Sequence, residues 1–216
     1  MLSLSLASKG FFVYNLYTPG GVVVQLVRTP ACHAGGREFE PRRPRHFLFD
    51  YLIYMEALDL LQEVLKQKTC FVGIGNKLRG DDGFGPYLIE RLRGKLLFPE
   101  EELLTVEDVP ENYAFPISRK DAVNVIFIDA VILDAPPGTV IFGPLADFEK
   151  IGEIASTHKL SLRLTARVIE ETGKKVFLLG IVPVSMEFGQ ELSPEIKEIS
   201  NDLAGLIEKA VQVHFE

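Results

Sequence analysis

The sequence reads as an α/β protein: a single three-layer α/β/α domain with a mainly parallel, twisted sheet. Three observations carry this reading. Short apolar runs rich in Val, Ile and Phe alternate with segments of helical period, which is the pattern of βαβ units with helices on both faces of a sheet. The pattern occupies about 160 residues, the size of one such domain. A glycine-rich segment, Gly73-Ile-Gly-Asn-Lys-Leu-Arg-Gly-Asp-Asp-Gly-Phe-Gly85, links a strand to a helix. Open α/β sheets place their ligands beyond the C-terminal ends of their strands, where such a turn lies.

The elements follow in order. Residues 55–68 carry apolar side chains at 57, 58, 60, 61, 64 and 65, one face of a helix. Residues 69–74 form a buried strand. A helix spans 86–94, with Pro86 tolerated in its first turn and Gly94 ending it. A short strand at 103–106 leads into a loop over 107–117. Residues 123–128, Val-Asn-Val-Ile-Phe-Ile, form a strand that ends at Asp129. Pro136-Pro-Gly138 is a turn and 139–142 a further strand. Ala155-Ser-Thr-His-Lys-Leu160 opens a helix that reaches Glu171 and stops at Gly173. Residues 176–182 are a strongly apolar strand. Ser193-Pro194-Glu195 gives an N-cap, a proline at the first helical position and an acidic first turn. The last helix runs to about residue 213, with apolar residues at 196, 199, 203, 206, 207, 210 and 211.

Composition narrows the function classes. No run approaches 18 apolar residues, so no membrane insertion is expected. Cys32 and Cys70 are too few for a disulfide framework, which points to a reducing cytoplasm. The net charge of -7 argues against nucleic acid as a partner. That charge is uneven. Residues 1–54 hold six Lys and Arg against three Asp and Glu, a balance of +3; residues 55–216 hold 17 against 27, a balance of -10.

The first 54 residues stand apart. After Val27 the stretch through residue 46 has neither helical nor strand period. Its wording resembles a transfer-RNA gene read as codons: Glu38-Phe-Glu-Pro41 is encodable with a T-loop-like GTTCGAA. A clean amphipathic helix begins just downstream at Met55. The expectation is that 1–54 is an extension from a misassigned start and that 55–216 is the functional domain, so that Cys32, His33 and His46 carry no chemistry. A signal peptide at Met1-Leu-Ser-Leu-Ser-Leu-Ala-Ser and a basic nucleic-acid-binding arm are the rival readings.

Chemistry concentrates at strand ends. Asp81 and Asp82 follow the first strand of the domain, Asp129 follows 125–128, and His158 precedes a helix. Two carboxylates and an imidazole with open positions suit nickel, zinc or iron(II), and equally suit acid–base work near neutral pH. Each also has a plain structural reading. Asp82 would cap the helix at Pro86 or serve a turn with Gly83, Asp129 would be a strand-end turn residue, and His158 would sit at a helix start beside Ser156 and Thr157. Three such readings at three element ends would have to be independent. A dinucleotide fingerprint on Gly73 and Gly75 fails because Leu78 stands at the third glycine position, and paired Asp would face a pyrophosphate. No Ser-His-Asp or Cys-His pair and no His-Glu-x-x-His helix stands out.

The glycine-rich motif, Ile128-Asp-Ala130, Ser156-Thr-His-Lys-Leu-Ser161 and Phe177-Leu-Leu-Gly-Ile-Val-Pro183 together resemble the nickel–iron hydrogenase maturation proteases. The Pro110-Glu-Asn112 loop and Leu192-Ser-Pro-Glu195 fit as well, and the details resemble the branch that processes large subunits of formate-hydrogenlyase and related energy-converting hydrogenases. The match runs over about 69–197. The resemblance implies an endopeptidase that removes a C-terminal extension from the hydrogenase large-subunit precursor after nickel insertion. It implies Asp82, Asp129 and His158 as metal-binding and catalytic residues, with Asp81 in second line. It also implies nickel held by the precursor's cysteine thiolates rather than by the enzyme, with no organic cofactor. Val182 departs from the Gln expected in that strand-end motif. A non-catalytic nickel-sensing chaperone for the same precursor, a zinc peptidase and a nucleotide-binding domain are the competing readings.

Overall fold

A computed structural model of the chain describes residues 11–18, 21–28, 59–93, 99–107, 109–151, 155–156 and 159–212. Strands β1 (Phe11–Thr18) and β2 (Gly21–Arg28) pair with each other as an antiparallel hairpin. The next described element is helix α1 over 59–65. The chain continues with β3 (Thr69–Ile74), a 3-10 turn at Gly80–Gly83, and α2 (Phe84–Leu92). Next come β4 (Leu103–Val106), α3 (Ala114–Ser118) and β5 (Asn124–Ile132). Then follow β6 (Val140–Pro144), α4 (Leu145–Ile151), β7 (Ala155–Ser156), α5 (Lys159–Glu170), β8 (Lys175–Ile181) and α6 (Pro194–Gln212).

The main sheet has the order β4-β3-β5-β8-β6. The pairs β3–β4, β3–β5 and β5–β8 are parallel, and only the edge strand β6 runs antiparallel. Two apolar clusters sit on its two faces. One joins Phe71, Ile126, Ile128 and Phe177 to side chains of α1, α2 and α6; the other joins Val72, Phe127, Val131 and Leu178 to those of α3, α4 and α5. This is the expected α/β/α sandwich. The alternation along β5 follows from the two-residue period of a strand. Helix α6 buries Ile196, Ile199, Leu203, Ile207, Ala210 and Val211, the 3–4–7 spacing that the sequence shows.

Several boundaries differ from the sequence reading. Asp129 does not follow a strand; it lies inside one, because Ala130 pairs with Ile181 and Val131 with Ser156 of β7. Stopping an apolar run at a carboxylate is the natural rule, and burial at a site overrides it. Helix α2 starts at Phe84, with Pro86 still within the first turn, where its missing N–H costs nothing. The expected loop over 107–117 contains a 3-10 turn, Pro110–Tyr113, and then α3. Helix α4 and the two-residue strand β7 had no period long enough to read.

Candidate active site

The strand order places β4 on one side of β3 and β5 on the other, although β4 and β5 both follow β3 in the chain. The connections therefore leave β3 and β5 in opposite directions and open a crevice at their C-terminal ends, a topological switch point. Asp82 enters this crevice from the 3-10 turn after β3, and Asp129 from the C-terminal half of β5. Both are fully buried, as is Asp81. Buried carboxylates are stable only when hydrogen-bonded, paired or bound to a cation.

Glycines make the close approach. An added Cβ on Gly85 would stand 2.4 Å from the carbonyl oxygens of both Ile74 and Ile128. Helix α2 thus presses directly on the ends of the two strands, and the 80–83 turn lies against β5. Gly75 has φ of 124°, and a Cβ there would stand 1.9 Å from the Asp82 carbonyl oxygen and 3.6 Å from its carboxyl carbon. The Asp82 side chain is therefore folded back over the first residue past β3. Gly73 pairs with Ile128, so the register sets Ile74 beside Asp129 on neighbouring strands, about 4.8 Å apart. By alternation Asp129 belongs to the face of β5 covered by α5.

Asp82 is not a helix cap. Helix α2 begins after Gly83 and has no side-chain cap hydrogen bond. Oδ2 of Asp82 instead accepts the backbone N–H of Asn76 at 2.9 Å. The Asn76 Oδ1 accepts the Leu78 N–H at 2.9 Å, an Asx turn that shapes the loop before the 3-10 turn.

Asp81, although adjacent to Asp82, faces other partners. Its Oδ2 accepts the N–H groups of Val184 at 2.8 Å and Ser185 at 3.0 Å and the Ser193 hydroxyl at 2.9 Å. Its Oδ1 accepts the Ser193 N–H at 2.7 Å. Ser193 does sit at the start of α6, its carbonyl accepting the Lys197 N–H, but its hydroxyl donates to Asp81. The signal for this pairing was present only as a Ser beside a Pro, which also spells an N-cap.

His158 lies outside the described residues. Its chain neighbours are β7, whose Ser156 pairs with Val131, and α5, which begins at Lys159. Among the described residues no three His, Cys, Asp or Glu side chains form a metal-holding group. Cys70 is buried and free, and burial pushes its thiol up to about 12, which removes it as a nucleophile.

The sheet order and this crevice can be set beside known proteins. The family model described as hydrogenase maturation protease matches residues 86–210, more than half of the chain. The chain belongs to the hydrogenase maturation protease family. The crystal structure of the nickel–iron hydrogenase maturation protease HycI from Thermococcus kodakarensis superposes with a TM-score of 0.61 at 32% identity, covering 71% of this chain and 99% of that one. The HybD maturation protease of the same organism superposes with a TM-score of 0.52 at 25% identity, over 66% of this chain and 97% of that one. The hydrogenase 3 maturation protease of Escherichia coli K12 is 26% identical over 129 residues, 58% of this chain and 79% of its own length. The protein is thus a maturation endopeptidase on an α/β fold. Among its described residues no helix is long and apolar enough to cross a membrane.

Proposed function

We propose that this protease removes a C-terminal extension from a nickel–iron hydrogenase large-subunit precursor once nickel has been inserted, and that Asp82, Asp129 and His158 read the metal. The observation that carries the reading is the burial of two carboxylates, Asp82 on the turn after β3 and Asp129 on the neighbouring strand β5, at the switch point of the sheet. Two carboxylates offer hard oxygen donors, and the imidazole would add a borderline nitrogen. Such a set is a poor competitor for nickel already held by thiolates, so it can test for the metal without stripping it. Nickel here is part of the substrate, and the cation it supplies would compensate the two buried carboxylates.

The chain's own residues have distinct tasks in this scheme. The Asn76 N–H holds one oxygen of Asp82, which fixes the orientation of the other. Gly85 and Gly75 allow the turn that carries Asp82 to seat closely on β3 and β5. With a scissile peptide between Asp82 and Asp129, either carboxylate is placed to take a proton from an attacking water as general base. The amine of the released peptide then takes up that proton. The reaction would run in the cytoplasm without an organic cofactor, with the precursor as the only required partner.

An intact-mass assay tests this. The protein is mixed with nickel-loaded or nickel-free precursor, and loss of a C-terminal peptide only from the loaded form is expected. Asp82→Asn, Asp129→Asn and His158→Ala should each lower processing by at least about a hundredfold while unfolding normally, since general-base catalysis alone contributes about that much. Normal processing by all three variants removes these residues from the mechanism. Unchanged precursor mass with binding retained would return the reading to a non-catalytic nickel-sensing chaperone.

A further inference from the structure

Four donors converge on the Asp81 carboxylate, three on Oδ2 and one on Oδ1. A buried charge is a costly way to shape a turn that an uncharged residue could shape as well. What it achieves is long-range: the donors come from residues 184–193, more than a hundred positions further along the chain. Three backbone bonds reinforce the join. The Asp81 N–H donates to the Ser185 carbonyl at 2.8 Å, the Gly80 N–H to the Gln190 carbonyl at 3.1 Å, and the Gly189 N–H to the Leu78 carbonyl at 2.7 Å. Gly80, at φ of 54°, would place a Cβ 2.6 Å from the Ser185 carbonyl oxygen, so the loops touch backbone to backbone.

The stitched loops expose apolar side chains together. Leu78 is 62% exposed, Val184 48% and Phe188 77%. Single exposed apolar residues are ordinary, but three on two loops held edge to edge form a patch. The patch adjoins the site, because Leu78 is on the loop that carries Asp82 and the 184–193 loop leaves β8, whose Gly180 pairs with Asp129. A protein substrate with its scissile bond at the crevice must run its flanking residues over the neighbouring surface, and at about 3.3 Å per extended residue a few residues reach it.

We infer that Asp81 is a positioning residue: it fixes the 184–193 loop against the glycine-rich loop so that Leu78, Val184 and Phe188 form an apolar wall for an extended segment of the precursor next to its cleaved bond. This rests on the proteolytic reading above and assigns one wall of its substrate cleft. The clamp binds substrate and transition state alike, so its loss raises KM and leaves kcat in place.

The test combines amide hydrogen exchange with steady-state processing of nickel-loaded precursor. Asp81→Asn keeps one acceptor oxygen and loses the other. It should speed exchange at Val184, Ser185 or Ser193 about tenfold and raise KM about tenfold, the factor that 1.4 kcal/mol gives, with kcat within about twofold. Phe188→Ser, on an exposed side chain that folding does not need, should raise KM similarly with exchange unchanged. A KM unaltered in Phe188→Ser, or a fall in kcat at constant KM in Asp81→Asn, overturns the inference. Should Asp81→Asn not fold, Phe188→Ser alone decides the wall. If the wild-type protein cleaves no loaded precursor, the proteolytic reading fails instead, and the exchange rates still decide whether Asp81 is the clamp.

Discussion

Replacing Gly85 by Ala isolates the contact that seats α2 on the ends of β3 and β5, the two strands that flank the site. A Cβ at this position meets the Ile74 and Ile128 carbonyl oxygens at 2.4 Å each and the Ile74 nitrogen at 2.6 Å. All three are backbone atoms, so no rotamer change relieves them. Raising 2.4 Å to a 3.0 Å floor moves α2 off the strand ends by at least 0.6 Å. Forced overpacking of this kind costs about 1–3 kcal/mol, and the rigid surroundings place it near 3. Ala returns up to about 1 kcal/mol of helix propensity, leaving about 2 kcal/mol net. For a chain of this size that lowers the melting midpoint by about 4–8 °C. The functional loss should be larger than the stability loss. Gly85 is three residues past Asp82, and Ile128 immediately precedes Asp129. A displacement approaching 1 Å between catalytic groups can cost about a hundredfold in rate. Thermal unfolding and the intact-mass assay measure the two effects. Gly205→Ala is the internal control: nothing lies within 4 Å of its Cβ, and it sits inside α6. It should raise the midpoint by up to about 4 °C with processing unchanged. If Gly85→Ala melts at the wild-type temperature and processes at the wild-type rate, the direct seating of α2 on β3 and β5 is wrong.

Three further outcomes are expected. Native Cys70 should resist alkylation at pH 8 and react only in denaturant, as read by mass mapping of its peptide, since its thiol stays protonated to about 12. The same shift has a sign for stability. Above the ordinary 9.0 the unfolded thiol ionises while the native one does not, so stability falls as pH rises from about 9 to about 12. Cys70→Val should flatten that part of the alkaline unfolding curve. A chain beginning at Met55 should keep the melting midpoint and processing rate of the full chain, and loss of either would show that preceding residues belong to the working protein.

The sheet class was legible because apolar runs and helical periods alternate across most of 69–212. The antiparallel course of β6 was not. Its apolar run reads the same in either direction, and its orientation depends on pairing Val140 with Ile181, residues far apart in the chain. Helix α3 was hidden behind Pro110 and Pro116, which read as loop until packing against α5 decides for a helical turn. Asp129 was located by its place after an apolar run, yet the strand boundary was drawn too soon, since the strand continues to Ile132 and a charge inside a buried strand is favoured only where a site awaits it.

By itself the sequence determined the layered α/β class, the glycine-rich turn and the placing of Asp82 just after the first strand of the domain. Each of these is written in local period, in glycine spacing or in residue type. Tertiary structure alone decided how Asp81 and Asp82 divide their work. Successive residues of a 3-10 turn point about 120° apart, so one carboxylate turns to Val184, Ser185 and Ser193 while its neighbour stays over Gly75 at the crevice. No local pattern encodes that choice, because the donors that make it arrive from the far end of the chain only once β8 has taken its place beside β5.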